Sequence, residues 1–294
     1  MKYAWITPPC DSFPIAVRCA VLRVSTSGDY DALERQPSPR AKRPQRMQQA
    51  VRQVHAESQG IYGSQKVARV LRERDALESV CRNTVADTLR NLGLQSCVRK
   101  AFQPTTTQAD PTKQPAENQV AQDFTADEPD RKWVTDITDL PTADGWVYLA
   151  VVLDLFRRKV VGWALSTSRA TDLVCQALRR AVESRRPQGN QRLHHSDRGC
   201  QSTSDADQTT LRRLGITGSM SRTGCCYDNA AMERFFWSLK HEWTHHHTDA
   251  DLEAARRSVC KYIETFYNPV RRHQTLGYLS PHQFEAEHAP AQAA

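Results

Sequence analysis

The sequence predicts an α/β protein, a mixed five-stranded sheet with flanking helices, preceded by small all-α helix-turn-helix modules. Three observations lead there. Residues 132–166 read as three successive strands joined by tight turns. Beyond them, helical and strand periodicities alternate up to Trp243. Ahead of them lie short amphipathic helices that hold the whole basic surplus of the chain.

The charge is unevenly spread. The net charge is +7 over 294 residues. Residues 1–115 hold 18 Lys and Arg against 10 Asp and Glu, a surplus of +8, and the remainder holds 22 against 23, which is −1. A basic module ahead of a near-neutral one fits nucleic-acid binding joined to chemistry. Ordinary solvated Arg-rich helices are the alternative. No apolar run approaches the roughly 20 residues that span a bilayer, so no membrane is expected. The 9 cysteines include no Cys-x-x-Cys pair, which argues for a reduced, cytosolic chain without a disulfide framework.

Taken in order, residues 14–35 read as two short helices with a turn at Val24–Gly28. Residues 36–46 read as a basic, proline-rich linker. The expected domains are an N-terminal hairpin and linker (1–46), a helix-turn-helix-like module (47–102) and a polar linker (103–130). A catalytic core (131–248) and a C-terminal helix and tail (249–294) follow. In the second module a helix over 47–59 precedes one from Gln65 to Glu73, with Ser64 as its cap. A third runs from Asn83 to Leu92. Arg82 and Arg90 on the third are candidate DNA contacts. A plain three-helix packing unit with exposed arginines is the competing reading.

In the core, Lys132 to Leu140 reads as a strand with Trp133, Thr135, Ile137 and Asp139 on one face and Val134, Asp136 and Thr138 on the other. Trp146 to Phe156 is apolar enough for a central strand, and Lys159 to Ser166 completes an antiparallel meander. A helix over Thr171–Ser184, a strand ending at Asp197, a helix over Ser204–Leu214 and a strand Ile216–Met220 follow. The next helix buries Met232, Phe235, Phe236, Leu239 and Trp243, with Asp228 as a plausible N-cap. Asp251 to Thr265 is a further amphipathic helix, and the tail beyond is too aromatic for a plain linker.

The chemistry gathers on carboxylates. Asp197 stands where Arg198-Gly199 breaks a strand, and Glu233 lies on a helix 35 residues further on. Lys240, Phe236 and Asn229 share the Glu233 face at helical spacing. With Asp136 upstream, these make a candidate metal-binding triad beside an ammonium that can meet a phosphate. Hard cations such as Mg²⁺ prefer carboxylate oxygens, and phosphoryl transfer uses them. Each acid taken alone is more often a surface residue. Asp139 is read as such a surface carboxylate. His194 and His195 are read as core residues, and His245–His247 as a solvated helix end.

Several stretches resemble the second-frame protein of the insertion-sequence-three family of bacterial transposases. They are Trp133–Thr138, His194–Gly199, Tyr227–Ala230 and the tail from Tyr267-Asn268 to Pro281, with Lys2-Tyr3-Ala4 and Tyr62-Gly63. The resemblance implies a ribonuclease H-like fold and a DDE catalytic core with Asp136, Asp197 and Glu233 as catalytic and metal-binding residues. It implies two Mg²⁺ ions, with Mn²⁺ as a substitute. The activity would be strand nicking and strand transfer at the ends of a mobile element. Its partners would be double-stranded DNA, a first-frame protein or a fusion with it, and further copies of itself on DNA, in the bacterial cytoplasm at the nucleoid. Lys240, Asn229, Arg82, Arg90, Arg271, Arg272 and His273 are the DNA-contact candidates. For the last three, stitching the tail to the core is the alternative. A non-catalytic DNA-binding regulator and a structure-selective nuclease are the alternatives for the whole chain.

Overall fold

A computed structural model describes residues 6, 13–34, 38–74, 79–97, 118, 120, 123–169, 171–186, 192–197, 205–221 and 229–288. The expectations placed on Tyr227, Asp228, Arg198-Gly199 and most of the 103–130 linker lie outside these residues.

The N-terminal part holds α1 (Ile15–Leu22), α2 (Thr26–Glu34), α3 (Pro39–Glu57), α4 (Ser64–Glu73) and α5 (Arg82–Asn91). Two local expectations are corrected here. The stretch read as a linker is already helical from Pro39, with Pro44 inside the helix. That proline removes one backbone bond, to the Arg40 carbonyl, near the helix start. The surrounding Arg, Lys and Gln are good helix formers that carry the turn through. Ser64 is the first residue of α4 and not its cap; the cap position is Gly63, in extended conformation and without a side-chain hydrogen bond. Met47, Val51, Val54, Val67, Val70, Leu71, Val85 and Leu89 bury the facing sides of α3, α4 and α5.

The sheet is built from β1 (Lys132–Thr142), β2 (Gly145–Asp154), β3 (Lys159–Ser166), β4 (Arg192–Ser196) and β5 (Ile216–Met220). Its strand order is β3-β2-β1-β4-β5. β1, β2 and β3 pair antiparallel, while β4 runs parallel to β1 and β5 parallel to β4. This is the ribonuclease H-like order. β1 obeys the alternation read from its sequence: Trp133 and Ile137 join one apolar cluster, Val134 and Leu140 the other. The first cluster is covered by α6 (Thr171–Arg185) and α7 (Asp205–Arg213). α6 lies so close to β3 that a Cβ on Gly162 would stand 2.3 Å from the Ala177 carbonyl oxygen. Only glycine allows that contact.

The other face is covered by α8 (Ala230–Glu242), α9 (Leu252–Cys260) and the N-terminal helices. α9 is shorter than the sequence suggests, because from Lys261 to Tyr267 the helix widens to a π-turn. The wider turn keeps Tyr262, Ile263, Phe266 and Tyr267 all inward, at two adjacent pairs four residues apart. Asn268 then pairs with the free edge of β3: its Oδ1 accepts from the Val160 N–H and its Nδ2 donates to the Val160 carbonyl, both at 3.0 Å. The tail ends in α10 (Pro281–Glu287), opened by a Ser280–Gln283 capping box.

Candidate active site

β1 and β4 bring the first two acids together. Thr135 pairs with Ser196 across the parallel ladder. Asp136 and Asp197 are each the next residue, Asp136 within β1 and Asp197 directly after the end of β4, so the last rung of the ladder delivers both acids to the same end of the strand pair. The pleat decides the rest. Asp136 takes the Val134 face, toward α8, while the neutral Trp133 and Ile137 take the opposite face.

α8 supplies Glu233 on its exposed first turn, after Asn229 at the cap position. Its buried side is Met232, Phe235, Phe236 and Leu239, so hydrophobic packing fixes the rotation that leaves Glu233 outward. Phe236 belongs to this buried side and not to the Glu233 face.

Asp136 feels both of the other acids. Asp136 is pushed up to about 8 by burial, with the negative charges of Asp197 and Glu233 adding to it. One backbone N–H, from Ile137 at 2.7 Å, and the positive charge of Arg169 act in the opposite sense. Burial raises Glu233 as well. Among the described residues no three His, Cys, Asp or Glu side chains are gathered closely enough to hold a metal ion in this conformation. The donor set nevertheless suits a hard cation: hard carboxylate oxygens at a strand pair and on a facing helix, with like charges that a cation would relieve.

The two histidines before Asp197 are occupied elsewhere. His194 Nε2 lies 2.8 Å from Thr135 Oγ1, and His195 bridges Ser219 at 2.9 Å and Ser221 at 3.1 Å. Both are buried and tie β4 to its neighbours. Lys240 lies 3.8 Å from Asp139, next to the β1 end of the site. Asn229 is buried, and neither its amide oxygen nor its nitrogen has a hydrogen-bond partner among the described residues. Arg82 is exposed on α5, and Arg90, also exposed, pairs with Asp87 at 2.7 Å.

The remaining basic candidates lie elsewhere. Arg271 is buried and donates from Nε and Nη2 to the two carboxylate oxygens of Glu242, each at 2.6 Å. Arg272 reaches Glu73 at 2.6 Å, and the His273 ring packs edge-on against Tyr267 at 5.1 Å between centroids. Arg271 and Arg272 thus pair within the protein, tying the tail to α8 and α4, which is the stitching alternative for these residues. Sequence reasoning missed Arg169, whose guanidinium stacks over Tyr148 at 5.6 Å. No local pattern announces it, since its neighbourhood comes from strand pairing.

Comparisons with known proteins place the chain in a family. The family described as integrase core domain matches residues 126–226, and a second integrase core family matches 214–281. An HTH-like domain family matches residues 42–102. The transposase InsF of insertion sequence IS3A from Escherichia coli K12 is 40% identical over 287 residues, covering 97% of this chain and 98% of that protein. The uncharacterized 31 kDa protein of insertion element IS600 from Shigella sonnei is 33% identical, covering 92% of this chain and 98% of its own length. Among solved structures, a simian T-cell lymphotropic virus intasome is similar at 14% identity and a TM-score of 0.47, over 82% of this chain and 76% of that one. The HTLV-2 integrase catalytic core in complex with magnesium is similar at 15% identity and a TM-score of 0.40, over 53% of this chain and 96% of that one. Identity of this level along nearly the full length, with an integrase core behind an HTH-like domain, means that the chain belongs to the IS3 family of DNA transposases.

Proposed function

We propose that this transposase is a DDE-type polynucleotidyl transferase in which Asp136, Asp197 and Glu233 hold Mg²⁺ and act on the ends of an insertion sequence. One observation carries the reading: Asp136 and Asp197 each directly follow the Thr135–Ser196 rung that ends the parallel β1–β4 ladder, and the charges of Asp197 and Glu233 both act on Asp136. Asp136, Asp197 and Glu233 would hold two Mg²⁺ ions, or Mn²⁺ in their place, which would supply Lewis-acid chemistry for an in-line displacement at a phosphodiester.

The chain's own residues do the rest. The three carboxylates fix the cation positions relative to the sheet, which is rigid because both its faces are covered. Lys240, two turns along α8 from Glu233, leaves its weak partner Asp139 for a substrate phosphate. Asn229 offers a buried amide with no partner among the described residues, one turn before Glu233. An orphaned buried amide costs about 1–3 kcal/mol, which a bound DNA group repays. Arg82 and Arg90 face solvent on the helix that enters a groove of the element end. The partners are double-stranded DNA as donor end and target, a first-frame protein or fusion, and further copies of the chain on DNA, all in the cytoplasm.

The test is an incubation of the chain with Mg²⁺ and labelled element ends. Nicked strands and joined products are expected. Asp197→Asn should lose both while binding DNA as the parent does. Nicking by Asp197→Asn at the parental rate would sink the assignment, and cleavage without joining would point to a nuclease.

A further inference from the structure

The outward side of α8 carries a stack of rings and cations that the catalytic reading leaves unused. The guanidinium of Arg234 lies over the Trp237 indole, 4.6 Å from its centroid. The His241 ring stacks on the same indole at 4.6 Å and 18° between planes. Arg234 precedes Trp237 by three residues and His241 follows it by four, so the two flank the indole along the helix. His241 is held in turn, its Nδ1 2.9 Å from the Trp237 carbonyl oxygen, and its ring meets His245 edge-on at 5.1 Å. At 100° per residue, Trp237 and Lys240 fall within about 40° of Glu233, and Arg234 and His241 within about 100°. The indole therefore lies on the Glu233 face, and Arg234 and His241 sit at its flank, about a quarter-turn round the helix.

We propose that Arg234, held in place by Trp237 and His241, is a phosphate clamp for the DNA strand that lies across the Glu233 site. This rests on the catalytic reading above for what the strand is doing there. Stacking engages the π-face of a guanidinium and leaves its in-plane N–H donors directed outward, in the fork that matches a phosphate. Holding the side chain beforehand lowers the ordering cost on binding. Several other surface arginines are matched, Arg90 with Asp87, Arg179 with Asp172 and Arg256 with Glu253, whereas Arg82 on α5 is exposed like Arg234. Among the described residues no carboxylate pairs with Arg234.

A second cation points the same way. Lys66 on α4 lies over the Tyr62 ring at 5.1 Å, and no ion pair holds it among the described residues. It is pushed down to about 8, first by burial and then by the positive charges of Arg271 and Arg234. The nearby carboxylate, Glu242, is already matched by Arg271. Positive charge is thus crowded between α8 and α4, offset among the described residues by Glu242, and a phosphodiester of the passing strand supplies a further anion.

The experiment measures how the affinity of the full chain for a short duplex of arbitrary sequence depends on salt. Each phosphate contact contributes a slope of about 0.9 in log affinity against log salt. The assay is run in the Asp197→Asn chain, so it is blind to chemistry: absent nicking would count only against the catalytic reading. Arg234→Gln is expected to lower the slope by about 1 and to weaken binding alike for all sequences. Arg179→Gln should leave the slope as it is. Trp237→Leu should give part of the Arg234→Gln loss and add nothing on top of it, a non-additivity that a general packing defect would not produce. Should Trp237→Leu fail to fold, Arg234→Lys takes its place, with an intermediate loss expected because the charge stays and the flat stack goes. An unchanged slope for Arg234→Gln overturns the proposal, as does full additivity with Trp237→Leu.

Discussion

Arg271 and Glu242 meet inside the protein as a two-pronged pair, Nε to Oε2 and Nη2 to Oε1, both at 2.6 Å. Ser238 Oγ accepts a further bond from Nη2 at 2.8 Å, and Tyr262 donates its hydroxyl to Glu242 Oε2 at 3.1 Å. Burial acts against the charge on Arg271, and Glu242 outweighs it, so the guanidinium stays charged. The tail is thereby fastened to the last turn of the helix that bears Glu233.

Arg271→Ala should destabilise the fold by about 3–5 kcal/mol, because it leaves Glu242 buried and unmatched. Replacing both partners with apolar residues of similar volume should cost far less. Denaturant unfolding of the two single variants and the double variant measures this. If Arg271→Ala unfolds like the parent and instead lowers the salt slope of DNA binding, Arg271 is a phosphate contact after all.

Tyr62 joins the helix-turn-helix-like part to the tail. Its hydroxyl donates to the Val270 carbonyl at 2.9 Å and accepts from the Arg272 N–H at 3.0 Å. Tyr62→Phe removes both bonds and leaves two backbone groups without partners, for a loss of about 1–3 kcal/mol. Hydrogen exchange should show the Arg272 amide losing protection while amides of the central strands keep theirs. Unchanged protection at Arg272 would mean that the contact holds nothing.

His194 makes stability fall in acid. Burial, with a smaller contribution from His195, pushes it down to about 3. The unfolded chain takes up its proton near pH 6.5, whereas the folded chain resists it. The stabilisation is therefore fully present above about pH 6.5 and is lost as the pH drops toward 3, at up to about 1.4 kcal/mol per unit. His194→Gln should flatten the unfolding free energy between pH 6.5 and 4. A parental slope in that variant would assign the effect to another group.

Mg²⁺ should stabilise the parent and not Asp136→Asn. In the cation-free chain Asp136 carries the combined cost of burial and two like charges. Asparagine removes that cost, so the variant should melt several degrees above the parent without Mg²⁺ and gain nothing when it is added. Thermal unfolding with and without Mg²⁺ reads both effects. A Mg²⁺ shift in Asp136→Asn equal to the parent's would move the cation away from Asp136.

By itself the sequence determined the sheet, its helices and the three acids. Alternation along β1 sorted Trp133 and Ile137 from Val134 and Asp136, and the structure keeps that sorting because a strand turned by one residue would put a carboxylate into an apolar layer. The apolar stripe of α8 likewise fixed which way Glu233 faces. Helix limits were less legible: Pro44 reads as a break, yet neighbours of high helix propensity carry α3 past it, and nothing local marks the π-turn after Cys260. What only the tertiary structure decided was the fate of the basic residues. Arg271, Arg272 and Arg234 are one residue type with one charge, and sequence spacing treats them alike. Folding set Glu242 against the first, Glu73 against the second and an indole beneath the third. Whether a guanidinium is a strut or a free hand depends on what long-range contacts place within about 4 Å of it.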